Sequence, residues 1–266
     1  MQTINFIKTT GICLNIRPFS KTSQMVTWLT PDVGRLTTPI KGAQRPKSAF
    51  LGKCDIGYTC EIIFYAKDHN GVHHIKECHP INFREGLHTH WRVASVANYV
   101  CDLAMRTAQP NLANPALYNI LVAMLDTLHT CQRHELSLAL LWFESRVLHA
   151  IGVQPDFTIC PHCPPQALHA FSTEEGRFYC EHRPSRLTHP PTLTLHDDLP
   201  TLFFTFLKMS LDEVLQQARA TNRTDDLGRP EPFPGIFGLR RFLGVFINTH
   251  LDLAPGPRRT VLDLII

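Results

Sequence analysis

No apolar run in this 266-residue chain approaches the ~18 residues a membrane span needs. Its opening stretch, MQTINFIKTTGICLNIRPF, lacks a basic segment followed by an apolar core, so it is not expected to act as a secretion signal. Disulfides are not expected either. The nine cysteines are an odd number, most stand alone, and without an export signal they read as reduced thiols in the cytoplasm. The motifs of nucleotide and hydrolytic chemistry are missing too. There is no Walker-type glycine loop, no G-x-G-x-x-G after a strand, no G-x-S-x-G elbow and no H-E-x-x-H. His134-Glu135 has no second histidine at the required spacing. The pairs Asp197-Asp198 and Asp225-Asp226 fall in turn-like segments, where capping is the simpler role. The expectation is a chain that is not an enzyme and has no membrane attachment.

What is present is enough for a core. Hydrophobic residues make up 44% and charged residues 18%, unlike a disordered chain. A formal net charge of +3 points to an anionic partner only if the positive charge is clustered. The first eighty or so residues have β character, with candidate strands at 4–16, 25–29, 36–40, 57–65 and 72–77. Pro31-Asp32-Val33-Gly34, the loop 42–46 and Asn70-Gly71 punctuate them. Five short strands suit a small closed barrel, an OB-fold first and an SH3-like barrel as the alternative. After Pro80 the period changes. Leu87, Trp91, Ala94, Ala97, Cys101 and Met105 recur at helical spacing through 85–108. Further helices are expected at 115–130, 133–151 (ending at Gly152), 201–220 and 237–251, followed by a tail containing Pro255-Gly256-Pro257-Arg258-Arg259. The expected fold is α+β and multidomain: an OB-fold β-barrel over 1–80, then an α-helical domain over 81–266 with a zinc-knuckle insert at about 153–190.

The sharpest local pattern is in that insert. Cys160-Pro161-His162-Cys163 is followed, sixteen residues later, by Cys180-Glu181-His182. A tight turn lets two thiolates grip one side of a tetrahedral ion, and a second short turn supplies the other two ligands. Pro161, Pro164 and Pro165 restrict the first turn, and 171–178 reads as a hairpin bent at Gly176. The expected ligands are Cys160, Cys163, Cys180 and His182, with His162 or His169 as alternatives to His182 because C-x-H is tighter than the usual second pair. Four protein ligands would make the zinc structural, with no open position for activated water. Buried thiols without metal are the plainer alternative. A thioredoxin-like role for Cys160 and Cys163 lacks its strand-turn-helix context, and Glu181 is in the wrong order for a zinc deaminase.

Positive charge gathers over 34–53, where Arg35, Lys41, Arg45, Lys47 and Lys53 occur with no acidic residue. On an OB-fold, strands 2 and 3 and their loops usually face nucleic acid, so these cations would track phosphates. Phe50 and Trp28 are candidates for stacking on bases, although Trp28 suits the core better. A merely solvated surface is the other reading of the same run. Arg240-Arg241 lies among Phe237, Leu239, Phe242, Leu243 and Phe246. That is a basic rim on an apolar face, able to receive an acidic, aromatic-ended peptide or simply to meet solvent.

The order of barrel, basic loop, helices, knuckle and helices resembles the RecO family along nearly the whole chain. Val26-Thr27-Trp28-Leu29-Thr30 with Gly34-Arg35-Leu36 is similar to that family's second strand and turn. Lys41-Gly42-Ala43-Gln44-Arg45-Pro46-Lys47-Ser48 resembles its basic loop and is the most specific match. Ile151-Gly152-Val153-Gln154-Pro155-Asp156, Phe171-Ser172 with Gly176 and Cys180, and Leu239-Arg240-Arg241-Phe242-Leu243 resemble later segments. The Cys180/His182 pair departs from the family's usual Cys-x2-Cys, some members lack zinc, and 197–234 matches nothing specific. The resemblance implies binding to single- and double-stranded DNA and annealing of complementary strands. It also implies association with RecR and with the acidic C-terminal tail of single-stranded DNA-binding protein, and so indirect help in loading RecA. On this chain Arg35, Lys41, Arg45 and Lys47 would contact phosphate, Arg240 and Arg241 would touch DNA or the tail, and the location would be the cytoplasmic nucleoid. The competing expectation is a zinc-stapled interaction scaffold that does not bind DNA.

Overall fold

A computed structural model of the chain describes residues 6–65, 72–157, 162, 170–180, 182, 192–194, 199–221 and 232–265. The chain separates into two compact units, Met1–Cys131 and Gln132–Ile266. The change from strand to helix near residue 80 is therefore internal to the first unit, which carries its own helices.

In the first unit, strands β1 (Phe6–Pro18), β2 (Gln24–Thr30), β3 (Gly34–Ile40), β4 (Thr59–Tyr65) and β5 (His74–Asn82) form one antiparallel sheet. Its order is β3-β2-β1-β4-β5. The long central β1 pairs on both edges, with a register shift between Cys13 and Asn15 that bends it. Inward-facing Cys13, Val26, Trp28, Leu36, Ile40, Cys60, Ile62 and Phe64 make the core. Trp28 is fully buried, and its Nε1–H donates to the Thr38 hydroxyl at 2.9 Å, so it serves packing. Among the described residues the closed barrel expected from strand counting is not formed. Among them the outer strands do not pair as a ladder, and a parallel bridge joins Thr37 to Val72. The Asn70-Gly71 turn lies outside the described residues.

The β2–β3 turn shows why Gly34 is needed. Its φ is +82°, and a Cβ there would collide with the Leu112 carbonyl. The expected helix over 85–108 is split into a 3-10 turn (Glu85–His88) and α1 (Trp91–Thr107), because the His90 side chain caps the Arg92 amide. α2 (Pro115–Thr127) is capped by Asn114, with proline in its first turn. α1 buries Val93, Val96, Ala97, Val100, Leu103 and Ala104 and packs on β1. His73 is buried, with its ring nitrogen 3.0 Å from the Asn111 amide oxygen.

The second unit is built around α3 (Arg133–Ala150), which packs against α4 (Leu199–Lys208), α5 (Leu211–Ala220), α6 (Ile236–Leu251) and α7 (Gly256–Ile265). α3 is buried on nearly all sides, from Leu136 through Phe143 and again at Val147 and Leu148. A three-stranded sheet of β6 (Ala170–Ser172), β7 (Arg177–Tyr179) and β8 (Thr192–Thr194) includes the expected hairpin, with Gly176 at its bend. Phe157, Phe171, Phe178, Phe203 and Phe242 stack around it at ring separations of 5.1 to 5.6 Å.

Two helix expectations need correction. The helix expected over 201–220 breaks after Lys208. Arg146 and Trp142 donate to the Met209 carbonyl at 2.6 and 2.9 Å and close α4, and Ser210 and Glu213 form a capping box that opens α5. The expected tail at 255–259 is the start of α7, and Arg258 is buried. The Arg258 guanidinium makes a fork-to-fork pair with Glu144 at 2.7 and 2.8 Å and also donates to the Arg240 carbonyl at 3.1 Å. The pair fits because residue 244 is glycine. A Cβ there would come within 2.6 Å of the Arg258 guanidinium.

Removing one partner of a buried pair strands the other charge. Arg258→Met is expected to lower stability in urea by about 3–5 kcal/mol. Glu144→Leu combined with Arg258→Met should recover most of that loss. Equal losses in the single and double variants, followed by Trp142 fluorescence, would contradict the pairing.

Candidate nucleic-acid interface

The loop between β3 and β4 is a run of tight turns with two anchors. Ala43 is buried, and Phe50 packs against the sheet core rather than standing free for stacking. The Gln44 amide donates to the Thr22 carbonyl at 3.0 Å, and the Gly42 amide to the Ser23 hydroxyl at 3.1 Å. These bonds seat the loop against the β1–β2 hairpin. Bonds from Arg45 to Gly42, from Ser48 to Arg45 and from Lys53 to Phe50 stiffen what remains. With the backbone held this way, Lys41, Arg45 and Lys47 are exposed, and among the described residues no carboxylate pairs with them.

Arg35 is not part of that cluster. It begins β3 while Lys41 follows its end, a separation of roughly 20 Å along an extended strand. Its main chain bonds to Gln109 and Asn111, and its buried Nε meets no hydrogen-bond partner among the described residues. The loop instead gains two cations from outside the acid-free run. Arg17 lies at the end of β1, paired in register with Met25, which pairs with Pro39, and Lys21 lies in the β1–β2 hairpin. Both are exposed, and Phe19 between them is 59% exposed.

The signal for this surface is the distribution of acids. In the first 54 residues Asp32 is the only carboxylate against eight Lys and Arg, so this stretch is +7 while the whole chain is +3. The other 212 residues therefore carry a net −4. Asp32 is itself engaged by the Thr9 hydroxyl, and Lys8 is held by Glu61 at 2.9 Å, so the cations left exposed gather at the loop end.

Arg240 and Arg241 point in different directions, as consecutive helical positions must. The Arg240 guanidinium donates to the Ser137 hydroxyl at 2.7 Å and lies 5.4 Å from the Phe237 ring centre, whereas Arg241 is exposed. Arg240 lines a groove of about 710 Å³ with Arg133, Glu135, Arg219, Ile236 and Phe237. At its floor Glu135 takes both Arg219 donors, at 2.7 and 3.0 Å, and the Gln132 amide at 2.7 Å. Burial pulls the Glu135 carboxyl upward, but the Arg219 bonds and charge with the Gln132 amide outweigh it and hold the group below the ordinary glutamate value.

Of the expected zinc ligands, Cys160 and Cys163 lie outside the described residues, as does the alternative His169. Cys180 is buried just beyond β7, and the exposed rings of His162 and His182 lie 6.0 Å apart. Among the described residues no three such side chains form a metal-holding group. Among them, too, no helix is long and apolar enough to cross a membrane.

Residues 1–84 match the family model "Recombination protein O N terminal" and residues 88–197 match "Recombination protein O C terminal". Three similar curated proteins each carry the name DNA repair protein RecO. That of Alkaliphilus metalliredigens is 27% identical over 179 residues, covering 65% of this chain and 70% of the relative. That of Dehalococcoides mccartyi is 24% identical over 176 residues, covering 65% and 68%. That of Bacillus cereus strain AH187 is 23% identical over 177 residues, covering 66% and 69%.

Because the Glu135 carboxyl is held down, its ionised bonds stabilise the fold above the unfolded-state value of about 4.3 and fade as pH falls through the lower folded value. Glu135→Gln should therefore cost about 1–3 kcal/mol near neutrality. The gap from wild type should shrink below pH 4. A gap independent of pH in urea titrations would count against an ionised Glu135.

Proposed function

The chain belongs to the recombination protein O (RecO) family, a family of DNA repair proteins, and on that premise we propose that it binds DNA strands and anneals complementary ones without covalent chemistry. The observation that carries the proposal is the exposed cationic end of the first unit. There Lys41, Arg45 and Lys47 stand on a stiffened loop seated against the hairpin bearing Arg17 and Lys21. Exposed cations on a pre-ordered backbone neutralise phosphate with little ordering cost, and two strands held there repel each other less. Phe19 at the same end offers a ring on which a base can stack. Arg35 is a weaker contact, since it lies at the far end of β3.

The barrel is read as a partly open OB-fold. The strand order β3-β2-β1-β4-β5 and the parallel bridge from Thr37 to Val72 support this, since closure between the outer strands would complete the ring. For the second unit, the groove beside Arg240 suits the acidic C-terminal tail of single-stranded DNA-binding protein. Arg133 and Arg240 supply positive charge beyond the Arg219–Glu135 pair, and Ile236 and Phe237 supply an apolar wall. Association with RecR, help in loading RecA onto coated strands and a place at the cytoplasmic nucleoid complete the role as a mediator.

Zinc is proposed as a structural staple of the insert, held by Cys160, Cys163, Cys180 and His182. Burial of Cys180 and the nearness of His162 and His182 support a ligand cluster there. Bound zinc would crosslink the two turns and supply no catalysis. The purified chain should carry one zinc by atomic absorption, His182→Ala should lose it, and retention in that variant with loss in His162→Ala would reassign the fourth ligand.

The experiment for the main proposal mixes complementary fluorescent oligonucleotides coated with single-stranded DNA-binding protein and follows duplex formation without nucleotide. Annealing should be fast and suppressed by salt. Lys41→Glu with Arg45→Glu should abolish it, and neutral Lys47→Ala should lower the salt slope of single-strand binding by roughly 0.7. No DNA binding at low salt would overturn the proposal and leave a zinc-stapled scaffold as the better account.

A further inference from the structure

Four of the nine cysteines, Cys13, Cys54, Cys60 and Cys78, gather in the core of the first sheet, and neither DNA binding nor the zinc knuckle uses them. All four are free thiols. The sulfurs of Cys54 and Cys78 lie 3.6 Å apart, and the Lys53 carbonyl accepts from the Cys60 thiol at 3.5 Å and lies 3.9 Å from the Cys78 sulfur. We propose that Cys54 and Cys78 form a reversible disulfide when the protein meets a hydroperoxide, pinning the end of the basic loop to β5.

The pairing follows from the elements that carry the thiols. Cys60 and Cys78 lie on adjacent strands, but Cys60 stands opposite Pro80 and Cys78 opposite Ile62. They are therefore diagonal neighbours, and such Cα atoms sit about 7–8 Å apart, beyond easy disulfide reach. Cys54 follows the last turn of the β3–β4 loop and stands outside the β4–β5 ladder, so no strand pairing fixes its distance from Cys78. It is also partly exposed, whereas Cys60 and Cys78 are 0% and 1% exposed, so a small oxidant reaches Cys54 first. Electrostatics favour the same couple. Hydrogen bonds from the Cys54 and Cys60 thiols, with the charges of Lys53 and His79, hold the Cys78 sulfur toward thiolate despite its burial. Cys54 is pushed the other way, its proton shared with Cys78.

The chemistry closes with one hydroperoxide. The Cys54 thiol passes its proton across the 3.6 Å contact to the Cys78 sulfur and, as thiolate, attacks a peroxide oxygen: a sulfur–oxygen bond forms, the oxygen–oxygen bond breaks, and the departing hydroxide takes a proton from solvent and leaves as water. The Cys78 sulfur then attacks the Cys54 sulfur, the sulfur–sulfur bond forms, and the hydroxyl leaves with the Cys78 proton as a second water. Two thiols are oxidised by two electrons, and the peroxide is reduced by two. Thiol reductants reverse the bond. The consequence is mechanical. Lys53 ends the cationic loop and Cys54 follows it directly, so the bond would fix the loop's downstream end across β4.

The test uses the full chain, reduced and then freed of reductant. It is exposed to a modest excess of hydrogen peroxide, capped with N-ethylmaleimide, digested without reduction and mapped by mass spectrometry. The expected first linkage joins the Cys54 and Cys78 peptides, disappears with dithiothreitol and is missing in Cys54→Ser. Hydrogen exchange of the amides at 44–53 should slow several-fold in the oxidised wild type. Cys54 and Cys78 both remaining open to the maleimide, or Cys54 advancing to sulfinic acid unlinked, would overturn the disulfide. A linked protein with unchanged exchange over 44–53 would overturn the pinning.

Discussion

Arg258 reaches from the first turn of α7 to Glu144, midway along a helix that is buried on almost every side. A carboxylate in such a place must be neutralised, and a planar guanidinium fork satisfies both of its oxygens at once. Much of the second unit is arranged around that requirement. Residue 244 has no side chain, because the guanidinium passes where a Cβ would be. The Arg240 carbonyl takes a further proton of the Arg258 Nη2, which ties α6 to α7 and leaves the Arg240 side chain to bond Ser137 on α3. A single guanidinium thus sets the register of three helices. The pair's contribution is better described as specifying one arrangement than as adding net stability.

The first unit follows a different rule, the exclusion of acid. With Asp32 and Lys8 each engaged locally, the positive field of the opening 54 residues falls on one loop and one hairpin. The remainder of the chain is net negative. An overall charge of +3 therefore hides a local excess of +7, and local fields are what an approaching polyanion meets. The same loop is stiff because its backbone bonds to Thr22 and Ser23 and its Ala43 and Phe50 pack inward, an arrangement that leaves its cations exposed.

Strand and helix positions were legible wherever a period ran without interruption, as in β2, β3, α2 and α3. The misses have causes far away in sequence. Whether five strands close into a ring depends on contacts between the two that are farthest apart in order, which alternation does not encode. The break at Met209 arises from Arg146 and Trp142, some sixty residues upstream, capping a carbonyl. Arg258 has the look of a tail cation because nothing nearby in sequence announces Glu144. Among the candidate contacts, Lys41, Arg45 and Lys47 were legible because turn residues frame them. Arg17 and Lys21 were not, because strand register and the Thr22 and Ser23 bonds bring them beside the loop. Arg35 was misgrouped, since proximity in sequence is distance along an extended strand.

The way α1 lies on β1 bears on how the protein can be divided. The two family-model matches meet between residues 84 and 88, whereas the first compact unit runs to Cys131. A fragment cut at the family junction would strip α1 and α2 from the sheet, laying bare the apolar surface they cover and freeing Arg84 from Asp126, which it bonds at 2.6 Å. Such a fragment would be sticky and prone to self-association. The natural cleavage plane for expression, spectroscopy or domain exchange lies between Cys131 and Gln132, some forty residues past the point where recurrence in sequence ends one module and begins the next.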